Sequence, residues 1–91
     1  MSDHALLVIT PANLNSLDDL LGPSASEAGR ELLNLVPEAS GQRATIQLIG
    51  DVWNAGRLPL RGGTVLSCSG QTATEAMRNL AAAIRSEAGS R

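Results

Sequence analysis

Catalysis in a small chain starts from its nucleophiles and bases, and here there are few of either. One histidine, His4, and one cysteine, Cys68, are all the chain offers of those two types. Any Ser–His or Cys–His arrangement would have to recruit His4, and a general base works only when held within hydrogen-bond reach of its nucleophile. His4 lies close to the N-terminus, where side chains are ordinarily solvated. Cys68 falls on the apolar phase of an alternating run, TVLSCS, where a free thiol behaves as a small hydrophobe. A lone cysteine also rules out an intrachain disulfide and a multi-cysteine metal site. Asp18 and Asp19 are adjacent carboxylates, but side chains at i and i+1 diverge on a helix, and no second oxygen-ligand cluster accompanies them. Asp51 has no evident partner. The chain contains no G-x-x-x-x-G-K-[ST], G-x-G-x-x-G or H-E-x-x-H motif, and RGG at 61–63 reads as a turn. The expectation is a protein with no catalytic residue, no metal and no cofactor, and so not an enzyme.

Recognition has better material. The stretch DVWNAGRLPLRGG, 51–63, is predicted to form a loop between two strands and holds the sole Trp, two arginines and apolar residues expected to be exposed, Val52, Leu58 and Leu60. Trp and Arg are over-represented at interface hot spots, and loops on a rigid scaffold carry much recognition. The candidate partner-binding residues are therefore Trp53, Arg57, Leu58, Leu60 and Arg61. For Trp53 two roles stand side by side, an interface anchor or a plug closing an aromatic-poor core.

Composition narrows the classes further. The chain has 91 residues, 43% hydrophobic and 1% aromatic, with neither Phe nor Tyr. That length implies one domain over 1–91, with flexible ends at about 1–4 and 88–91, and a stability of about 5 kcal/mol if it folds alone. Aromatic side chains bury the most area, so a core of Leu, Ile, Val and Ala favours burial against a partner, and a homo-oligomer is expected. The formal net charge is −2, and all seven basic residues are arginines scattered along the chain. Nucleic-acid binding calls for a clustered basic footprint, with interleaved aromatics for single strands, so nucleic acid is disfavoured as a partner. MSDHALLVIT has no basic n-region, and its apolar run is too short for a signal peptide or a span; a soluble, cytoplasmic protein is expected, with no membrane partner.

These residues need elements to position them. ALLVIT (5–10), ended by Pro11, reads as a buried strand. Leucines at 14, 17, 20 and 21 mark a short helix, with Ser16 as cap and Gly22 as stop. Ser24 and Glu27 form a capping-box pattern ahead of an Ala28, Leu32, Leu35, Val36 stripe that Pro37 ends. Gly29 within that helix points to close contact with a neighbouring element. RATIQLIGDVW (43–53) alternates as a half-buried strand with Gly50 as a bulge, NAG (54–56) reads as a turn, and Pro59 belongs at a strand edge or bulge. TVLSCS alternates again with Leu66 and Cys68 on one face. A closing helix runs from about Ala73 to Glu87, with Thr72 and Glu75 as a capping box and Ala73, Ala76, Met77, Leu80, Ala83 and Ile84 on its apolar face. The predicted fold is α+β: a small, mainly antiparallel three-stranded sheet with two to three helices on one face, in the order β-α(α)-β-β-α.

The junction into the closing helix carries a family signal. A strand running into Gly70, Thr72, Glu75, Ala76, Asn79, Leu80, Ala83 and Ile84 resembles the strand-to-helix junction of HicB-type antitoxin domains over residues 64–85. The resemblance implies a non-catalytic domain that pairs with itself and neutralises a partner protein. This chain departs from that pattern in lacking an aromatic-rich hairpin, a strand after the helix and a C-terminal DNA-binding segment. The expected function is thus a small protein-binding module, antitoxin-like or regulatory. The alternatives are a phage- or mobile-element-encoded inhibitor of a host defence protein, or a small self-assembling structural protein.

Overall fold

The polypeptide alternates between two periods, and the computed structural model shows where each gives way to the other. It describes residues 6–36, 41–59 and 65–89. Strand β1 (Leu7–Ile9) leads through a 3-10 turn at Leu14–Ser16 into helix α1 (Leu17–Leu21) and then helix α2 (Ala25–Leu35). Strands β2 (Gln42–Ile49), β3 (Val52–Pro59) and β4 (Leu66–Gly70) follow, and helix α3 (Ala73–Gly89) closes the chain. The sheet has four strands in the order β1-β2-β3-β4, every neighbouring pair antiparallel. Thus the α+β class and the one-sided helical layer follow the expectation, while the strand count is four and not three.

The extra strand comes from the stretch expected to be a loop. Residues 43–53 are not one strand: the chain reverses at Gly50–Asp51, and Ile49 faces Val52 across the turn. Gly50 has φ 61°, the conformation a two-residue hairpin places at its first position to match the twist of the strands. Asn54, Ala55 and Gly56, which have the composition of a turn, lie mid-strand opposite Gln47, Ile46 and Thr45. Gly56 is accommodated there because the Thr45 side chain occupies the space a Cβ would take, its Oγ1 only 3.3 Å from that point. Pro59 ends β3 beyond the last pairing with β4, where its missing N–H removes no bond to that strand.

The helices pack on the sheet face that carries Ile9, Ala44, Ile46 and Ala55, and together they form one core with Leu17, Leu32, Val36, Met77, Leu80 and Ile84. Of the fifteen buried hydrophobics among the described residues, seven are alanines, which brings helix backbones close to the sheet in place of aromatic bulk. Gly29 is buried where α2 meets the preceding segment: a Cβ there would lie 2.5 Å from Leu17 Cδ1 and 3.1 Å from Leu14 Cδ1. The close contact its position implied is present. The opposite sheet face presents Arg43, Thr45, Gln47, Asn54, Leu58, Ser67 and Ser69 by the same alternation.

The helix ends correct three details. Ser16 makes no side-chain cap to α1, and Ser24 makes none to α2. Ser24 sits at φ 67°, in the left-handed region, so its hydroxyl is not aimed along the helix. Asp18 serves instead, its Oδ1 accepting from the Ser26 amide at 2.8 Å; a carboxylate from the preceding helix satisfies a first-turn donor and complements the positive end of the helix. At α3 the Thr72 Oγ1 accepts from the Glu75 amide at 3.0 Å as expected, while Glu75 Oε1 accepts from the Gln71 amide at 2.8 Å, one residue before the cap. The helix continues to Gly89, two residues past the expected end. Thr72→Ala is expected to lower stability by about 1 kcal/mol. A denaturant midpoint unchanged at constant slope would remove Thr72 as a cap.

Candidate partner-docking surface

The two-residue turn between β2 and β3 brings apolar side chains to one end of the sheet. On the helix-facing side, Leu48 and Trp53 stand opposite each other across the hairpin. With Leu7, Ile46 and Gln47 from the sheet and Leu20 and Leu21 from α1 they line a cavity of about 350 Å³. That is the small end of the range for ligand-binding clefts, and its lining is mostly apolar. Leu20 at its rim is 61% exposed, and on the outer sheet face the cross-turn neighbours Ile49 and Val52 are 49% and 46% exposed. Large apolar side chains left in water at one end of a molecule are unfavourable unless something covers them.

Of the five residues proposed from the sequence, the three that are described do not share one face. Trp53 is half-buried on the helix side of β3, opposite Gly70 as well as Leu48, and packs against the core. Leu58 is half-buried on the other face, opposite Arg43. Arg57 turns back to the helix side and is buried under the end of α3. Its Nη1 and Nη2 donate to the Glu87 carboxylate at 2.7 and 3.1 Å. Leu60 and Arg61 lie outside the described residues, as does His4. The separation of Leu58 from Trp53 and Arg57 has one cause. A loop would present successive residues together, whereas a strand sends them alternately to opposite faces.

The Arg57–Glu87 pair is asymmetric. The Arg57 side chain is 10% exposed and that of Glu87 53%, so solvent screens the pair and its net contribution is about 1 kcal/mol. Arg57 Nε is buried without a hydrogen-bond partner among the described residues. The hydrogen bonds to Glu87 raise the Arg57 pKa above an ordinary value already far above neutrality, although burial opposes them. A raised cationic pKa contributes stability at pH below the ordinary value, and here it does so only while the Glu87 carboxylate that raises it is ionised.

Sequence reasoning identified Val52 and missed Leu7, Leu20, Leu48 and Ile49. Their signal was present in part: Leu20 follows the leucine spacing of the first helix, yet a helix as short as Leu17–Leu21 cannot bury both of its flanks. Cys68 is half-buried on the helix-facing side, as the alternation implied. Among the described residues no three His, Cys, Asp or Glu side chains gather into a metal-binding group, and no helix is long and apolar enough to cross a membrane. Comparison with protein-family models, with curated proteins and with solved structures finds no match to this chain.

Proposed function

We propose that this protein is a small non-catalytic binding module whose hairpin end docks an apolar segment of another protein. The observation that carries the reading is the cavity of about 350 Å³ between α1 and the β2–β3 hairpin, with Leu20 exposed at its rim and Ile49 and Val52 exposed on the outer face of the same hairpin end. A partner seated there would bury an amphipathic tryptophan at the centre of the contact, the usual place of a hot spot. An antitoxin-like or regulatory role, in which binding neutralises or modulates the partner, is the form the HicB-type resemblance favours. It is supported by the three-stranded meander β2–β3–β4 running into α3 through Gly70 and Thr72. The same two residues are also explained by helix packing and capping, so the resemblance adds direction to the proposal and does not carry it.

The test compares partners captured from cells of the source lineage by the immobilised native chain and by Leu20→Arg and Val52→Arg variants. Both positions are largely exposed, so each substitution is expected to change stability by under about 0.5 kcal/mol. A partner held by the native chain is expected to lose at least tenfold in affinity for both variants, because a charge is pushed into an apolar contact. A partner retained by both at native affinity would move the docking surface elsewhere. An antitoxin-like role further requires that the captured protein arrest growth by itself and that co-expression of this chain relieve the arrest.

A further inference from the structure

The geometry points to a second copy of this chain as the occupant of the α2–α3 face, at a surface separate from the hairpin end. Helices α2 and α3 run side by side in the same direction. Thr74 Oγ1 at the start of α3 donates to the Pro23 carbonyl just before α2, at 2.9 Å, and farther along Arg85 pairs with Glu31 at 2.5 Å. Between them lies an open groove of about 500 Å³ lined by Glu27, Ala28, Glu31, Arg78 and Arg85. One bank is therefore acidic and belongs to α2, and the other is basic and belongs to α3. Arg30 is not on this lining and borders the adjoining hollow with Asn34 and Leu35. Glu31 and Arg85 satisfy each other across the groove, whereas Glu27 and Arg78, both exposed, make no ion pair among the described residues.

Opposite charges on two parallel banks make the surface complementary to itself under one symmetry operation. A two-fold axis running along the groove places the acidic bank of one copy over the arginine bank of the other, in both halves of the contact at once. A two-fold axis across the groove would put acid over acid. The first arrangement gives the two unpaired groups their counterparts: Glu27 of each copy meets Arg78 of the other. The floor at Ala28 is small enough to admit close approach. The area is limited. Helices of 11 and 17 residues about 10 Å apart present roughly 400 Å² on each side, about half of a standard stable interface. The dimer is accordingly weak, with a Kd on the order of 10–100 µM at low salt, and salt-sensitive because its specificity comes from exposed charge.

Sedimentation equilibrium of the full chain tests this at about 20 mM and about 500 mM salt, the latter screening beyond a few ångströms. The native chain is expected to approach the dimer mass at low salt and to return toward monomer at high salt. Glu27→Arg alone and Arg78→Glu alone are each expected to weaken association by about 10- to 100-fold, since every dimer then carries two like-charge contacts. Mixing the two variants is expected to restore it, because both cross-contacts in the mixed dimer join opposite charges. Melting temperatures of the two variants verify that each is folded. A native chain that stays monomeric at low salt, single variants that associate like the native chain, or a mixture that stays monomeric would each overturn the proposal. None of these outcomes depends on the hairpin-end partner.

Discussion

Gly70→Ala is expected to destabilise the protein by about 3 kcal/mol and to lower its melting temperature by roughly 15 °C. A Cβ at this position would lie 2.6 Å from the Ala76 nitrogen, 3.0 Å from the Ala76 Cα and 3.0 Å from the Glu75 carbonyl carbon. All three are backbone atoms in the first turn of α3, so no rotamer change relieves the overlap. The helix would have to lift from the end of β4. Lifting exposes Ala73, Ala76 and Met77, which are wholly buried, and strains the Asn79 Nδ2 bond to the Ser69 carbonyl, 2.9 Å long in the native fold. Thermal or denaturant unfolding of the variant checks this directly. A melting temperature within about 3 °C of native would show that α3 can shift without cost. For a domain stabilised by about 5 kcal/mol, the expected loss leaves a detectable unfolded population.

Leu80→Ala is expected to cost a similar amount, about 3 kcal/mol within the 2–5 seen for such truncations. Leu80 has no exposed surface and shares its core with Leu32, Ile46 and Met77. Much of that core is short: Ala44, Ala55, Ala76 and Ala81 belong to it and have no side-chain reach. With no buried Phe or Tyr to swing inward, the cavity stays largely open and the cost falls near the cavity-dominated part of the range. Leu80→Met, which conserves volume, is expected to cost less than about 1.5 kcal/mol. Urea titration of the pair provides the comparison. Equal losses for Ala and Met would mean that shape, and not volume, sets the energy at this position.

The parts of the fold legible in the sequence are those where one local signal acts without competition. Helix α3 was readable because its alanine and leucine stripe, its Thr72 cap and its preceding glycine all agree. The alternation of Ala44, Ile46 and Leu48 gave β2 its inward face for the same reason. The hairpin was not readable because two turn signals compete within seven residues, Gly50–Asp51 and Asn54–Ala55–Gly56. The choice between them is made by pairing: reversal at Gly50 lets eight residues of β3 pair with β2 and places Trp53 and Ala55 on the core face. A reversal at Asn54 would forfeit that ladder. The cap of α2 is non-local, which a local pattern cannot show: Asp18, eight residues before Ser26, supplies the acceptor that the Ser24–Glu27 spacing predicts at Ser24. Grouping Trp53, Arg57 and Leu58 assumed a loop, and in a strand Leu58 faces away from the other two.

The parallel course of α2 and α3 also gives the molecule an electrostatic direction. Peptide dipoles in the two helices point the same way, so their partial charges add along the axis, with the positive ends both at the hairpin side. Carboxylates are gathered at that side: Asp18 against the Ser26 amide, Glu27 in the first turn of α2, and Glu75 in the first turn of α3. At the opposite side neither helix has a basic residue in its last turn, and Arg57, supplied by the sheet, reaches the Glu87 carboxylate near the end of α3. A two-fold axis parallel to the helices would preserve this direction in a dimer and double it. Two hairpin ends would then point the same way, presenting two docking sites on one side of the assembly.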